Sequence, residues 1–339
     1  MKKFNKILQI TFINIAILAI LLLGLEGLSR IVFPAQETKA IFNDQDLRVR
    51  NRPFVKHHPT RGFALKENFK NDLYTIDKNG FRVVPDTPND VNFTILAMGE
   101  STTFGWMVKD NETYPYYLQQ FLNQKAQHIQ VINAGIPSYT SSQVLEYLKE
   151  ILSKHTIKPN LILVNIMWND IWYSSVQQWH PDILIYQKPP KWFVWLHKYS
   201  HLFNLLQEYF SSNKSQQTTD RFNQPALDKY ADNIKQMIDI ARQHNIAIAI
   251  VEPPLDADHL SSKGLNEFHI TYTKPYLIKM GRLYYQTMRD IAITYHIPVI
   301  NQSLGLEDIH QKNLFLDALH PTAQGNKKMA KDIAKQISL

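Results

Sequence analysis

The stretch FTILAMGESTTFG, residues 93–105, decides the fold class of this chain. It begins with Phe93 to Met98, a continuous run of apolar and β-branched residues that is typical of a strand covered on both faces. Four further runs of this kind follow, at residues 129–133, 161–167, 246–251 and 297–300. Amphipathic helical patterns accompany them, at residues 141–155, 226–244, 276–295 and 323–337. This alternation predicts an α/β fold in which a parallel sheet lies between layers of helices.

Residues that can carry chemistry stand just after these runs. Gly-Glu-Ser follows the first run at 99–101, Asn-Ala-Gly closes the second at 133–135, and Trp-Asn-Asp follows the third at 168–170. Asp-Ala-Leu-His, at 317–320, stands just before the last helix. Parallel α/β sheets bind their ligands at the carboxyl ends of the strands. We therefore expect these segments to converge on one site.

Three of these side chains suit nucleophilic catalysis. A serine hydroxyl is a weak nucleophile and needs a neighbouring base, a role that His320 can fill for Ser101. Asp317, three residues before the histidine, can accept a hydrogen bond from its other ring nitrogen. The predicted catalytic residues are therefore Ser101, His320 and Asp317.

Attack by a serine places negative charge on the carbonyl oxygen of the substrate, and donors aimed at that oxygen lower the barrier. The candidate donors are the Ser101 backbone N–H, the Gly135 backbone N–H and the Asn169 side-chain amide. Glycine suits position 135 because a residue without a Cβ lets an ester approach the backbone closely. Asp170, beside Asn169, is expected to order the loop as a hydrogen-bond acceptor.

The four segments, in this order, resemble the blocks of the SGNH (GDSL-like) hydrolase superfamily. They read MGESTTFG, NAGIPSYTSSQ, MWND and DALHPTAQG. Two positions depart from the usual pattern, because Glu100 replaces an aspartate before the serine and Met167 replaces the glycine of the third block. The resemblance implies a three-layer α/β/α sandwich with a flavodoxin-like parallel sheet. It also implies ester hydrolysis through a serine acyl-enzyme, without a metal or organic cofactor.

The N-terminal segment is predicted to be a membrane anchor. Residues Ile7 to Leu25 are nearly all apolar and approach the length of about 20 residues that a helix needs to cross a bilayer. Lys2, Lys3 and Lys6 precede the run and Arg30 follows it, which predicts a cytoplasmic N-terminus and an extracytoplasmic remainder, periplasmic or at the cell surface. A cleaved signal peptide is the alternative.

The predicted organisation follows from these segments. Residues 1–30 form a cytoplasmic stub and transmembrane anchor, 31–90 a lead-in with short strands and a turn at 77–80, and 91–339 the hydrolase-like domain. An aromatic-rich insertion at about 171–225 interrupts that domain. The insertion is either a helical hairpin with its own small core or a cap whose aromatic side chains line a substrate groove.

Composition excludes several classes of function. The 339 residues include no cysteine, which removes disulfide scaffolds, thiolate nucleophiles and Cys-ligated metal centres. The net charge is +7, but residues 31–339 hold 33 basic against 29 acidic side chains and no run of five Lys or Arg. This mild excess does not support nucleic-acid binding.

Together these observations predict a membrane-anchored serine esterase that removes a small acyl group, such as acetyl, from a carbohydrate or another ester of the cell envelope. Two alternatives remain open at this stage. The same site could transfer the acyl group to an extracytoplasmic polysaccharide, with the insertion shielding the acyl-enzyme from water. Alternatively, the chain could be a non-catalytic, membrane-tethered module that binds glycan in its cleft.

Overall fold

The structure is a computed structural model that describes residues 2–32, 52–125, 128–154, 157–174, 192, 195–196, 199–212, 220, 222–257, 273–305 and 312–337. Its contacts divide the chain into two units. The first unit comprises residues 1–51 and 187–217, and the second comprises 52–186 and 218–339. Much of the predicted insertion, including Trp179 and Tyr186, lies outside the described residues.

The described strands are β1 (Val55–His58), β2 (Gly62–Leu65), β3 (Phe93–Gly99), β4 (Ile129–Gly135), β5 (Leu161–Asn165), β6 (Ala247–Val251) and β7 (Val299–Ile300). The helices are α1 (Lys2–Val32), α2 (Ser101–Phe104), α3 (Tyr114–Asn123), α4 (Ser141–Ser153), α5 (Trp168–Ser174), α6 (His201–Ser212), α7 (Gln224–Gln243), α8 (Lys274–Thr294) and α9 (Ala323–Gln336). Helices α1 and α6 belong to the first unit, and the remaining elements to the second.

The second unit is built on a five-stranded parallel sheet with the order β4-β3-β5-β6-β7. This is the flavodoxin-like order, in which the strand order reverses beside the first strand of the sheet. At the carboxyl edge, Gly99 of β3 pairs with Gly135 on one side and with Asn165 on the other. The predicted fold is therefore confirmed, and the ends of three strands meet beside residue 101.

Helices cover both faces of the sheet. Alternate residues of each strand point to opposite faces, so Ile95 and Ala97 of β3 pack on one layer and Leu96 and Met98 on the other. The first layer consists of α3 and α9, whose apolar side chains share one core with that face of the sheet. On the other side α4 contacts α7, and α7 contacts α8. Strands buried on both faces explain the continuous apolar runs in the sequence.

The region predicted as a lead-in carries two short strands. β1 and β2 form an antiparallel pair, and a turn follows in which Gly80 N–H donates to Asp77 O at 3.2 Å. Gly80 has a φ of +82°, a conformation that glycine adopts without strain. The sequence separates residues 31–90 from the hydrolase-like domain, whereas the contacts place residues 52–90 in the same unit as the parallel sheet.

Among the helices that the structure describes, α1 of the first unit is long and apolar enough to cross a membrane. Its candidate span, Gln9–Val32, covers 24 residues with a mean hydropathy of 2.2. The apolar side chains of this span are exposed, as expected for a helix whose surroundings are lipid. By length and composition alone, the span fits either an anchor or a signal sequence.

Candidate active site

A tight turn between a strand and a helix positions Ser101. β3 ends at Gly99, and Ser101 is the first residue of the short helix α2. A Cβ at position 99 would lie 2.2 Å from the carbonyl oxygen of Asn165, so only glycine fits between β3 and β5. The Ser101 hydroxyl therefore stands at the carboxyl edge of the sheet, beside the point where the strand order reverses.

The structure brings Ser101, His320 and Asp317 together. His320 Nε2 lies 2.8 Å from Ser101 Oγ, and His320 Nδ1 lies 2.7 Å from Asp317 Oδ2. The second carboxylate oxygen of Asp317 accepts the backbone N–H groups of Leu319 and His320 at 2.8 and 2.9 Å. These bonds fix the histidine ring with one nitrogen on the carboxylate and the other on the serine.

The electrostatics of this group favour an ionised aspartate. Burial alone would raise the pKa of Asp317, but the hydrogen bond and charge of His320, with the two backbone N–H groups, outweigh it and lower that pKa. A charged Asp317 stabilises the imidazolium that forms when the histidine takes a proton. The His320 side chain is 10% exposed, which keeps this interaction largely out of water.

Glu100, the residue that departs from the usual aspartate, is buried beneath the site. Its carboxylate accepts the backbone N–H groups of Met167, Trp168 and Asn169 at 3.4, 3.1 and 3.0 Å, and also the Asn169 side-chain amide. Burial raises the pKa of Glu100 to about 8, against the opposite effect of these hydrogen bonds. Glu100, the residue before the nucleophile, thus connects the nucleophile segment to the start of α5.

Asn169 lies beside the nucleophile segment, and both hydrogens of its amide are engaged. Nδ2 donates to Glu100 Oε2 and, at 2.9 Å, to the carbonyl oxygen of Tyr139. Met167, which stands where the family has glycine, is fully buried, so the core accommodates its side chain. An oxyanion role for Asn169 requires the amide to exchange one of these acceptors for the substrate oxygen.

Gly135 has a different environment from the one expected for an open oxyanion donor. Its N–H donates to Asn133 Oδ1 at 3.0 Å. A Cβ at this position would lie 2.2 Å from Phe104 N, so the space beside the glycine is filled by the backbone of α2. The structure therefore explains this glycine by close packing of β4 against α2, and not by approach of an ester.

Ser138 lies in the loop whose Tyr139 carbonyl oxygen accepts the Asn169 amide. It is a non-glycine residue with a φ of +71°, a conformation that is costly and often found at functional sites. Its neighbour Tyr139 accepts the Asn169 amide, which places this loop beside Glu100 and Ser101. Within the described residues, the N–H groups of Ser138 and Ser101 have no hydrogen-bond partner. No local sequence signal marks position 138.

Asp170 acts as the loop-ordering acceptor that the sequence predicts. Its carboxylate accepts the backbone N–H of Ser141 at 2.9 Å and the Ser141 hydroxyl, and so joins α5 to the first residue of α4. Burial raises the pKa of Asp170 to about 7, against these hydrogen bonds. Asp170 therefore supports the loop that carries Asn169.

Arg82 supports the nucleophile helix from the region before the sheet. This arginine is 1% exposed, and its guanidinium donates to the carbonyl oxygens of Phe104 and Val108 and, at 3.0 Å, to Asp110 Oδ1. It therefore satisfies carbonyl groups at the end of α2 and in the loop beyond it. No sequence pattern identifies this residue, because most of its acceptors are backbone carbonyl oxygens of other segments.

The family model for GDSL-like lipases and acylhydrolases matches residues 97–328, which include the serine, the histidine and the aspartate described above. The chain belongs to the GDSL-like lipase/acylhydrolase family. As a member of that family it is a hydrolase of ester bonds. No curated protein sequence matches it.

Solved structures similar to this GDSL-like hydrolase include three with 12 to 15% sequence identity. A mutant of an acetyl-xylooligosaccharide esterase from Geobacillus has 15% identity and a TM-score of 0.46, over 74% of this chain and 96% of the other. An esterase from Pseudoalteromonas sp. has 15% identity and a TM-score of 0.44, over 72% and 96%. A lipolytic G-D-S-L family member from Veillonella parvula has 12% identity and a TM-score of 0.45, over 72% and 98%.

Proposed function

We propose that this hydrolase is a serine esterase that works through an acyl-enzyme. The observation that carries the proposal is the hydrogen-bonded chain from Asp317 through His320 to Ser101, with heavy-atom distances of 2.7 and 2.8 Å. Ser101 Oγ attacks the ester carbonyl while its proton passes to His320 Nε2. The imidazolium then protonates the leaving alkoxide. Water, deprotonated by the same histidine, attacks the acyl-serine and releases the acid.

Two backbone donors suit the negative oxygen of the tetrahedral intermediate. The Ser101 N–H and the Ser138 N–H have no partner among the described residues, whereas the Gly135 N–H is engaged with Asn133. Asn169 supplies a third donor when its amide exchanges the Tyr139 carbonyl for the oxyanion. Each such donor contributes about 3 kcal/mol of transition-state stabilisation.

The substrate class that we propose is a small acyl ester, such as an acetyl ester, of a carbohydrate or another envelope component. The ring of Trp106 lies 6.4 Å from the ring of His320 and forms a partly exposed aromatic surface beside the nucleophile. The guanidinium of Arg52 lies over that indole ring, 4.7 Å from its centroid. An aromatic surface with a few polar groups is typical of ligand sites, and it suits a sugar ring held beside the scissile bond.

We also propose that α1 anchors the hydrolase in a membrane, with the N-terminus cytoplasmic and the parallel-sheet unit on the opposite side. The apolar span supports the anchor, and the three lysines before it support the orientation. The substrate would then be an ester of the cell envelope, accessible from the membrane surface.

The test compares turnover of an activated acetyl ester and of its octanoyl counterpart by the wild type and by Ser101→Ala. We expect faster turnover of the acetyl ester and loss of turnover in the variant. Ser153→Ala, at an exposed serine that ends α4, is the matched control and should keep full activity. Equal turnover by Ser101→Ala and the wild type would contradict the mechanism. Acetyl recovered on an added acceptor sugar, instead of as free acetate, would indicate transfer.

A further inference from the structure

The first unit contains a connection between the apolar helix and the insertion. Glu26, near the end of the span in α1, accepts the Ser200 hydroxyl at 2.8 Å and the backbone N–H groups of His201 and Leu202 at 2.7 and 3.0 Å. These N–H groups belong to the first residues of α6, where a helix leaves its donors without partners of its own. The carboxylate therefore caps α6 from another part of the chain.

Two neighbours of Glu26 extend the connection. Arg30 donates to the carbonyl oxygen of Tyr199 at 2.8 Å and to Glu26 itself. Ser29 Oγ lies 3.2 Å from His201 Nδ1. Three polar side chains of the last two turns of α1 thus hold residues 199–202 against the apolar span.

The depth of this connection follows from helix geometry. Glu26 lies six residues before Val32, the last residue of the span, which corresponds to about 9 Å along the helix at 1.5 Å per residue. The polar layer on each side of a bilayer is about 5 to 8 Å thick. If the span ends at the outer surface, Glu26 and the start of α6 lie near the boundary between headgroups and hydrocarbon.

The segment before α6 presents aromatic side chains at helical spacing. Trp192, Trp195 and Tyr199 are 61%, 60% and 53% exposed, and Leu206, seven residues further on, is 45% exposed. The rings of Trp195 and Tyr199 lie 5.7 Å apart. Each of these three aromatic residues is helical, and we call their exposed rings the aromatic face. Tryptophan and tyrosine favour the interface between membrane and water.

We propose that Trp192, Trp195, Tyr199 and the helix α6 lie in the interfacial layer of the bilayer, with the aromatic face among the lipids and Glu26 as the attachment of α6 to α1. The occupant of the aromatic face is thus the lipid itself. Two observations carry this: the exposed aromatic rings, and the polar connection between them and the end of an apolar span. The depth expected from helix geometry agrees with them. The inference rests on the proposed membrane anchor.

This arrangement differs from both expectations for the insertion, a helical hairpin with its own core and a cap over a substrate groove. The unit boundaries place residues 187–217 with the N-terminal helix and not with the parallel sheet. The second unit is then attached to the bilayer through two parts of the chain. One part precedes residue 52, and the other lies within residues 187–217. Such a hydrolase works on esters at the membrane surface.

The natural absence of cysteine allows a direct test with the full chain in phosphatidylcholine–phosphatidylglycerol vesicles. A single cysteine, Leu206→Cys, is labelled with an environment-sensitive fluorophore, and a lipid with a nitroxide near the headgroup is added as quencher. Ile293→Cys, at a 71% exposed position of α8, is the matched control in the catalytic unit. We expect loss of emission at position 206 and unchanged emission at position 293. Turnover of the acetyl ester by both labelled proteins verifies their folding.

Flotation of the same samples separates the two claims. Vesicles that carry the protein while the probe at position 206 remains unquenched would overturn the interfacial segment and leave the anchor standing. Protein that does not float would overturn both. Glu26→Ala removes the acceptor that holds α6, so we expect reduced quenching at position 206 with flotation unchanged. Full quenching in this variant would contradict the role of Glu26.

Discussion

At the scale of single residues, Asp317 has two functions in the proposed mechanism. One carboxylate oxygen holds His320 Nδ1, and the other accepts two backbone N–H groups of its own turn. We predict that Asp317→Asn lowers kcat by a factor on the order of 10³ to 10⁴, because an amide does not stabilise the imidazolium and can select the wrong tautomer. Steady-state kinetics with the acetyl ester measure this change.

The matched control is Asp332→Asn, at a carboxylate of α9 that accepts the backbone N–H and the hydroxyl of Ser303. That variant should keep the wild-type kcat, because its hydrogen bonds lie outside the triad. Comparable losses in the two variants would show that the effect of Asp317→Asn comes from a general loss of folding and would contradict the assigned role.

The raised pKa of Glu100 makes the free energy of unfolding depend on pH. Burial raises its pKa from 4.5 to about 8, so the folded protein retains a proton that the unfolded chain has released. The contribution to stability is complete below about pH 4.5 and is lost as the pH rises towards 8, at up to about 1.4 kcal/mol per pH unit. We predict that Glu100→Gln flattens the fall of the unfolding free energy between about pH 5 and pH 8.

Urea denaturation across that pH range measures the slopes. Glu146→Gln, at a surface carboxylate paired with Lys149, is the control and should leave the slope as in the wild type. Parallel curves for Glu100→Gln and the wild type would contradict a raised pKa at Glu100.

Residue types in sequence order were enough to predict that Ser101, Asp317 and His320 come together, because they stand beside strand or helix ends that a parallel sheet brings to one edge. Arg82 and Ser138 could not be found in this way. Most acceptors of Arg82 are backbone carbonyl oxygens of other segments, and Ser138 is distinguished by its φ and not by its side chain.

At the scale of secondary structure elements, the position of α2 depends on β4. Gly135 of β4 is packed so tightly on α2 that an added Cβ would lie 2.2 Å from Phe104 N, a backbone atom that cannot move independently. We predict that Gly135→Ala lowers the free energy of unfolding by about 1 to 3 kcal/mol and reduces turnover, because α2 carries Ser101. Urea denaturation and the acetyl-ester assay measure both effects.

Gly24→Ala is the matched control, since a Cβ at that glycine of α1 would have no neighbour within 4 Å. It should change neither stability nor turnover. Alanine at position 135 keeps the backbone N–H, so a glycine that acted only as an oxyanion donor would tolerate the change. Unchanged stability and turnover in Gly135→Ala would therefore contradict the packing role.

Elements with a strong pattern were predicted closely. The helix expected at residues 141–155 extends over Ser141–Ser153, and Gln143 Oε1 accepts the Thr140 N–H at 3.2 Å at its N-terminus. The strand expected at 161–167 ends at Asn165, because the chain turns there into α5. Residues 52–90, predicted as a lead-in, share one unit with the parallel sheet, and Arg82 in this region donates to the carbonyl oxygen of Phe104 at the end of the nucleophile helix.

At the scale of the whole molecule, the fate of the N-terminal helix decides where the hydrolase works. An uncleaved anchor predicts that the protein isolated from membranes has the mass of the full chain. It also predicts that the protein remains with the membranes in alkaline carbonate, because an anchored α1 would span the hydrocarbon. Intact-mass measurement distinguishes this from signal-peptide cleavage, which would yield a soluble chain shortened at the N-terminus.

The central claim is that Ser101 is the nucleophile of this GDSL-like hydrolase, activated by His320 at 2.8 Å. The most direct measurement is labelling of the full chain with a fluorophosphonate, followed by mass spectrometry of its peptides. We expect one modified peptide, which carries the label on Ser101, and no labelling in Ser101→Ala or after denaturation. A label on another residue, or equal labelling of Ser101→Ala and the wild type, would contradict it.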